Sequence, residues 1–200
     1  RKCVVTLNTK VIFGKNCKLT IERNEKRVRV TEACGNNSEV LIFPTSVWDE
    51  LFKLYIEPLA NDETPFNVGV ILAGAPGTGK TRMARLIADM LSINTVEIRR
   101  EEILSRWVGK SERTLRDLID RAVRNQPTII IGDEFEWILS SRTLSKSEDQ
   151  GGPGQVYANL KEILFQFMQE VFDNRDKVLL IAATNMRPTE IDPAFKRYGR

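Results

Sequence analysis

Short runs in which apolar and β-branched residues alternate with polar ones fill the chain up to about Phe43: CVVTLN, KVIFG, KLTIE, RVRVTEA and EVLIFP. Between them stand GKN, RNEK and CGNNS, whose glycine, asparagine and charged residues favour turns over continued strand. The pattern predicts a small β-rich segment over residues 1–43. Pro44 and Thr45 interrupt it, and SVWDELFKLYIEPL then sets Val47, Leu51, Leu54 and Tyr55 at helical spacing, which predicts a linker helix within 44–66.

From Asn67 onward strands and helices alternate. VGVILAG is a continuous apolar run, expected as a strand covered on both faces, and the helix after it sets Met83, Leu86, Ile87, Met90 and Leu91 on one side. TVEI begins a second unit, followed by a helix with Leu115, Leu118, Ile119, Ala122 and Val123 as its stripe and then, past Pro127, the strand TIIIG. The polar, glycine-containing passage SSRTLSKSEDQGGPG reads as a mobile surface loop. A helix from about Val156 to Phe172 leads into the strand VLLIAA. Wholly apolar strands separated by helices predict an α/β fold, a mainly parallel sheet with helices on both faces.

Composition narrows the function classes. Of 200 residues 42% are apolar and 28% charged, the profile of a chain that can bury a core, and no run reaches the ~18 consecutive apolar residues of a membrane-spanning helix. RKCVVTLNTK lacks the features of a secretory signal, so a cytosolic setting is expected. Cys3, Cys17 and Cys34 are too far apart for a Cys-x-x-Cys metal site and are expected as free buried thiols. The absence of histidine excludes a Ser-His-Asp triad or a histidine-held metal within this chain. Residues 1–43 hold nine Lys or Arg against four Asp or Glu, so the basic excess belongs to the N-terminal part; its charges are scattered, which favours a solvated surface over a nucleic-acid site.

The candidate chemistry begins at GAPGTGKT, which places Gly74, Ala75, Pro76, Gly77, Thr78, Gly79, Lys80 and Thr81 between a predicted buried strand and a predicted helix, with Arg82 next in line. Glycines let successive backbone N–H groups approach phosphate oxygens, and the helix N-terminus adds partial positive charge. Lys80 can reach the β- and γ-phosphates, and the Thr81 hydroxyl can ligate Mg²⁺. A plain glycine turn would need neither lysine nor threonine there. TIIIGDEFE then delivers Asp133 and Glu134 at the carboxyl end of an apolar strand, where open α/β sheets bind ligands. Asp133 is the expected Mg²⁺ partner and Glu134 the group that polarises the attacking water. The bland alternative is a pair of helix-capping acids.

The ordered set GAPGTGKT, RWVGKSE, IIIGDEFE and LLIAATNMRPTEIDPAFKRYGR closely resembles the AAA+ ATPases, and its last member is similar to the homology region that marks the classical AAA subfamily. The resemblance runs from about residue 67 to 200 and implies a P-loop NTPase fold, the AAA+ ATPase large subdomain, that uses ATP and Mg²⁺. It implies that Asn185 is the sensor 1 side chain placing the lytic water. It implies that Arg197 and Arg200 are arginine fingers reaching a neighbouring subunit's nucleotide, so that the chain joins a homo-oligomeric ring, usually a hexamer. It also implies that Trp107, Val108 and Gly109 form a pore loop gripping a polypeptide substrate. Outside that context Trp107 would be an ordinary core residue and the two arginines ordinary surface charge.

Two positions depart from the resemblance: Lys110 stands where many relatives carry an acid, and Gly132 replaces a bulkier apolar residue before the acid pair. The helical lid that normally follows in the family is missing by Arg200 and the first residue is arginine, so the sequence is expected to be a fragment of a longer protein. The β-rich segment is expected to take substrate or an adaptor. The leading expectation is thus an ATP-driven protein remodeller. The alternatives are a nucleic-acid machine of helicase, initiator or clamp-loader type, and a module that binds nucleotide without turnover.

Overall fold

A computed structural model describes residues 4–6, 9–13, 18–34, 37–65, 67–104, 110–140 and 153–196. The N-terminal runs form five antiparallel strands paired in chain order: β1 Val4–Thr6, β2 Thr9–Phe13, β3 Lys18–Arg23, β4 Arg27–Cys34 and β5 Asn37–Pro44. Alternation dictates which side of this sheet is buried. Leu19, Ile21, Val28, Val30 and Phe43 point inward, while Val40 and Ile42 of β5 stay about half exposed.

The chain leaves β5 directly into α1 Thr45–Leu51, a π-helical turn Phe52–Ile56 and α2 Glu57–Ala60. The buried stripe along this helix is Trp48, Leu51, Tyr55, Ile56 and Leu59, which corrects the predicted stripe: Val47 is exposed and Leu54 only half-buried. A π turn adds a residue to its loop, so the face that meets the core drifts around the helix and a 3.6-residue period misassigns its ends.

A second sheet is parallel, in the order β6 Gly69–Ala73, β9 Val178–Thr184, β8 Thr128–Gly132 and β7 Asn94–Ile98. Consecutive residues of the two central strands serve opposite faces. Ile130, Leu180 and Ala182 pack with the short α4 Arg100–Ile103, α5 Lys110–Arg124, the short α6 Glu136–Leu139 and α7 Pro153–Asn174. Ile129, Ile131, Leu179 and Ile181 pack with α3 Lys80–Leu91, the α1–α2 helix and the inner side of the N-terminal sheet, in one continuous core. Burial on both faces is why TIIIG and VLLIAA carry no polar alternation. The predicted stripe of α3, Met83, Leu86, Ile87, Met90 and Leu91, is buried throughout, and in α5 Leu115, Ile119 and Ala122 are buried with Leu118 and Val123 packed beside them.

β6 differs from its prediction. Gly69 to Leu72 are only half-buried and Ala73 is exposed, because among the described strands β6 lies at the edge of the sheet. Among the described residues no helix is long and apolar enough to cross a membrane. Cys3, Cys17 and the stretch 141–152, the bulk of the predicted surface loop, lie outside the described residues, as does the Cys34 side chain.

Gly132 has a physical reason. A Cβ there would meet three Phe135 ring atoms at 2.6 to 2.9 Å, and Phe135 is fully buried. The ring fills the volume that a larger side chain at 132 would need. Gly132→Ala is therefore expected to destabilise the fold by ~1–3 kcal/mol through overpacking. Urea denaturation measures this, and wild-type stability in the variant would mean that the ring has room to retreat.

Candidate active site

Strand order assembles the site. β6, β9 and β8 are neighbours, so the segments that follow their carboxyl ends, Gly74–Thr81, Asn185 and Asp133–Glu134, open onto one cleft. The cleft has a volume of about 400 Å³ and is lined by Pro76, Gly77, Lys80, Thr81, Asp133, Glu134 and Asn185 among others. Gly74 N–H donates to Thr184 O at 3.2 Å and Phe135 N–H to Ala183 O at 3.0 Å, which pin the loop and the acid pair to β9.

Within the loop Gly77 and Gly79 adopt φ of 76° and 83°, left-handed values that a side chain would strain. Gly79 accepts the Met83 N–H at 2.8 Å and so starts α3. Thr78 Oγ1 donates to Ala75 O at 2.8 Å and tightens the turn. Lys80 Nζ donates to Gly74 O at 2.9 Å, Ala75 O at 2.8 Å and Asn185 Oδ1 at 2.9 Å, using all three of its protons. The predicted phosphate lysine and the predicted water-placing asparagine, 105 positions apart in the chain, are thus in contact.

Thr81 Oγ1 donates to Asp133 Oδ1 at 2.7 Å, and the same oxygen accepts the Glu134 N–H at 3.0 Å. A hydroxyl and a carboxylate are hard oxygen donors, and Mg²⁺ bound with phosphates and water takes only one or two such protein oxygens. The pair therefore fits that ion. Glu134 is exposed to the cleft with φ of 47°, a left-handed backbone unusual for a residue with a side chain.

Three features escaped the sequence reading. Glu136 Oε1 accepts from Thr184 Oγ1 at 3.0 Å and from the Asn185 N–H at 2.5 Å, holding the strand end that presents Asn185. Its place two residues beyond Glu134 in DEFE is the only trace in the sequence. A mostly apolar cavity of about 450 Å³ adjoins the loop, lined by Phe43, Pro44, Val47 and Tyr55 together with Gly74 and Gly79. A third cavity, of about 200 Å³, brings Arg85, Glu97 and Arg99 beside Asp133 and Glu134. There the hydrogen bond from Arg99 holds the Glu97 carboxyl below the usual range, against the opposing effect of burial, and the charge of Arg85 adds to it.

Arg82, expected among the nucleotide contacts, also lines the cleft, and its guanidinium pairs with Glu32 and Glu39 of the N-terminal sheet. The segment toward the paired arginines is anchored: Lys161 of α7 meets Asp192 at 3.5 Å in a buried pair, Ala194 N–H donates to Asp192 Oδ1 at 3.0 Å, and Phe195 lies against Phe165 with ring centroids 4.6 Å apart. Arg197, Arg200 and the pore-loop residues Trp107, Val108 and Gly109 lie outside the described residues.

The profile of the ATPase family associated with various cellular activities (AAA) matches residues 70–200. The chain is 38% identical over 149 residues to the 26S proteasome regulatory subunit 10B homolog A of Arabidopsis thaliana, an alignment covering 72% of this chain and 36% of that protein. It is 34% identical over 173 residues to Protein CdcH of Halobacterium salinarum, covering 86% and 21%. With the ATPase histone chaperone YTA7 of Saccharomyces cerevisiae it shares 39% over 163 residues, covering 76% and 11%. The chain thus spans between 11% and 36% of the length of these relatives. The matched stretch contains the loop, the acid pair and Asn185 at the ends of adjacent parallel strands, and the chain belongs to the AAA family of ATPases.

Proposed function

We propose that this chain hydrolyses ATP to ADP and phosphate with Mg²⁺, as one subunit of a ring, a hexamer, that remodels, unfolds or disassembles polypeptides through a central pore. The observation that carries the proposal is the meeting of Lys80 with Asn185 and of Thr81 with Asp133 at the ends of three adjacent strands. Lys80 and the glycine loop bind the phosphates, and the apolar cavity beside Gly79 takes the base. Thr81 and Asp133 hold the ion, which when bound neutralises charge on the phosphate oxygens. Glu134 accepts a proton from the attacking water and Asn185, fixed by Glu136, orients that water. Arg197 and Arg200 complete a neighbour's site, stabilising charge that develops in its transition state.

The load is assigned to Trp107, Val108 and Gly109, since a tryptophan grips extended chain by apolar contact without reading its sequence. Relatives named as a proteasome regulatory subunit and a histone chaperone agree with a protein substrate. The N-terminal sheet is the surface we assign to an adaptor. Its Arg23 and Arg29 lie at the surface beside Asp49 at 2.7 Å and Glu22 at 3.8 Å, so part of the basic excess is balanced locally.

In the assembled protein Trp107→Ala is expected to leave phosphate release near wild type and to abolish unfolding of a tagged substrate. Equal unfolding by the variant would sink the threading mechanism, and phosphate release that needs DNA would favour the nucleic-acid machine.

A further inference from the structure

The N-terminal sheet grips the first turn of α3 from two sides. At the end of β5 the Phe43 ring lies under Gly79, with its Cε1 4.0 Å from where a Cβ would stand on that glycine. Higher on the same strands Glu32 and Glu39, direct cross-strand partners, both accept from Arg82: Nη2 donates to Glu32 and Nε to Glu39 at 2.8 Å. Between these two holds lie only Lys80 and Thr81, the residues that meet phosphate and Mg²⁺ in the reading above.

The carboxylate hold cannot be broken from one side alone without leaving a buried charge unpaired. Glu32 is 4% exposed, and burial, with Asp89 of α3 and Glu39, holds its carboxyl above the usual range although Arg82 pulls it down. Two carboxylates facing each other across a strand pair repel, and a buried one needs a counter-charge. Arg82 supplies it to both. The sheet therefore cannot shift against α3 without giving up that pairing or carrying the Gly79–Arg82 turn with it.

We infer that Glu32, Glu39 and Arg82 couple the N-terminal sheet to the nucleotide site, so that nucleotide tightens the β4–β5 pair and whatever strains that pair weakens nucleotide binding. Arg82 is then a positioning residue, acting through Lys80 and Thr81, and not a nucleotide ligand. Linkage makes the effect reciprocal, which gives it two independent readouts. The inference rests on the reading that the glycine loop binds nucleotide.

The test uses MgATPγS as probe, with calorimetric binding and amide hydrogen exchange on the purified chain. Arg82→Gln alone strands a buried carboxylate and is prone to misfold, so the informative variant is the neutral pair Glu32→Gln with Arg82→Gln, which keeps hydrogen-bonding capacity. In wild type the probe should slow exchange across 30–34 and 37–41, the part of β4 and β5 away from Phe43 and Pro44, which line the cavity assigned to the base. In the paired variant that protection should vanish, α3 should remain protected, and the Kd should rise about tenfold, within the range of ordinary coupling free energies. Absence of β4–β5 protection in wild type, or wild-type affinity and protection in the paired variant, overturns the coupling. Lost affinity with β4–β5 protection intact also overturns it, assigning Arg82 to the nucleotide directly. Binding that survives Lys80→Ala unchanged overturns instead the reading of the loop, and the coupling with it.

Discussion

Lys80→Ala is expected to weaken MgATP binding by about 30-fold or more, because removing one partner of a close charge pair costs ~2–5 kcal/mol. The structure supports an effect of this size. Lys80 is the sole side-chain cation whose ammonium sits on the loop itself, between the carbonyls of Gly74 and Ala75, among the described residues. Its third proton goes to Asn185, so alanine also releases the group that orients water. The same change should barely touch folding. Lys80 is only half-buried, its partners reach solvent, and the start of α3 is set by Gly79. Calorimetric titration and thermal unfolding measured together separate the two effects. Wild-type affinity would remove the loop from phosphate binding, and a collapse of the melting temperature would make Lys80 a structural residue.

What could be read from the sequence divides along a physical line. Runs buried on both faces, such as TIIIG and VLLIAA, are legible as strands because they are short, bounded by turn residues and, Thr128 apart, apolar throughout. The loop is legible for a related reason: left-handed turns at Gly77 and Gly79, a lysine and a hydroxyl are each demanded by phosphate at fixed spacing. Partners distant in the chain are not legible. Nothing local to Arg82 announces Glu32, 50 positions away, or tells Glu136 that it will hold Asn185. The edge position of β6 depends on strand order, and the buried stripe of the linker helix depends on a π turn; neither leaves a mark in hydrophobic periodicity. Gly132 looks like a departure until Phe135, three residues on, is seen folded back over it.

Glu134→Gln is expected to reduce phosphate release by about 10²- to 10⁴-fold, the usual contribution of a general base, while nucleotide affinity stays near wild type. Glutamine keeps the size and the hydrogen-bonding reach of the side chain and removes only the capacity to take a proton. A second substitution at the same position tests whether the backbone is held there for function. The φ of 47° at Glu134 costs a residue with a Cβ about 1 kcal/mol or more, and Asp133 Oδ1 helps to hold it by accepting the Glu134 N–H. Glycine pays no such penalty. Glu134→Gly should therefore be as inactive as Glu134→Gln yet melt higher, by roughly 2–4 °C if ~1 kcal/mol of strain is released in a chain of this size. Single-turnover phosphate release and calorimetric melting decide both points. Turnover by the glutamine variant at the wild-type rate would take the base role away from Glu134. A glycine variant that melts lower would mean that the side chain stabilises the fold by more than its backbone strains it, so that the residue would be kept there for the fold as well as for the water.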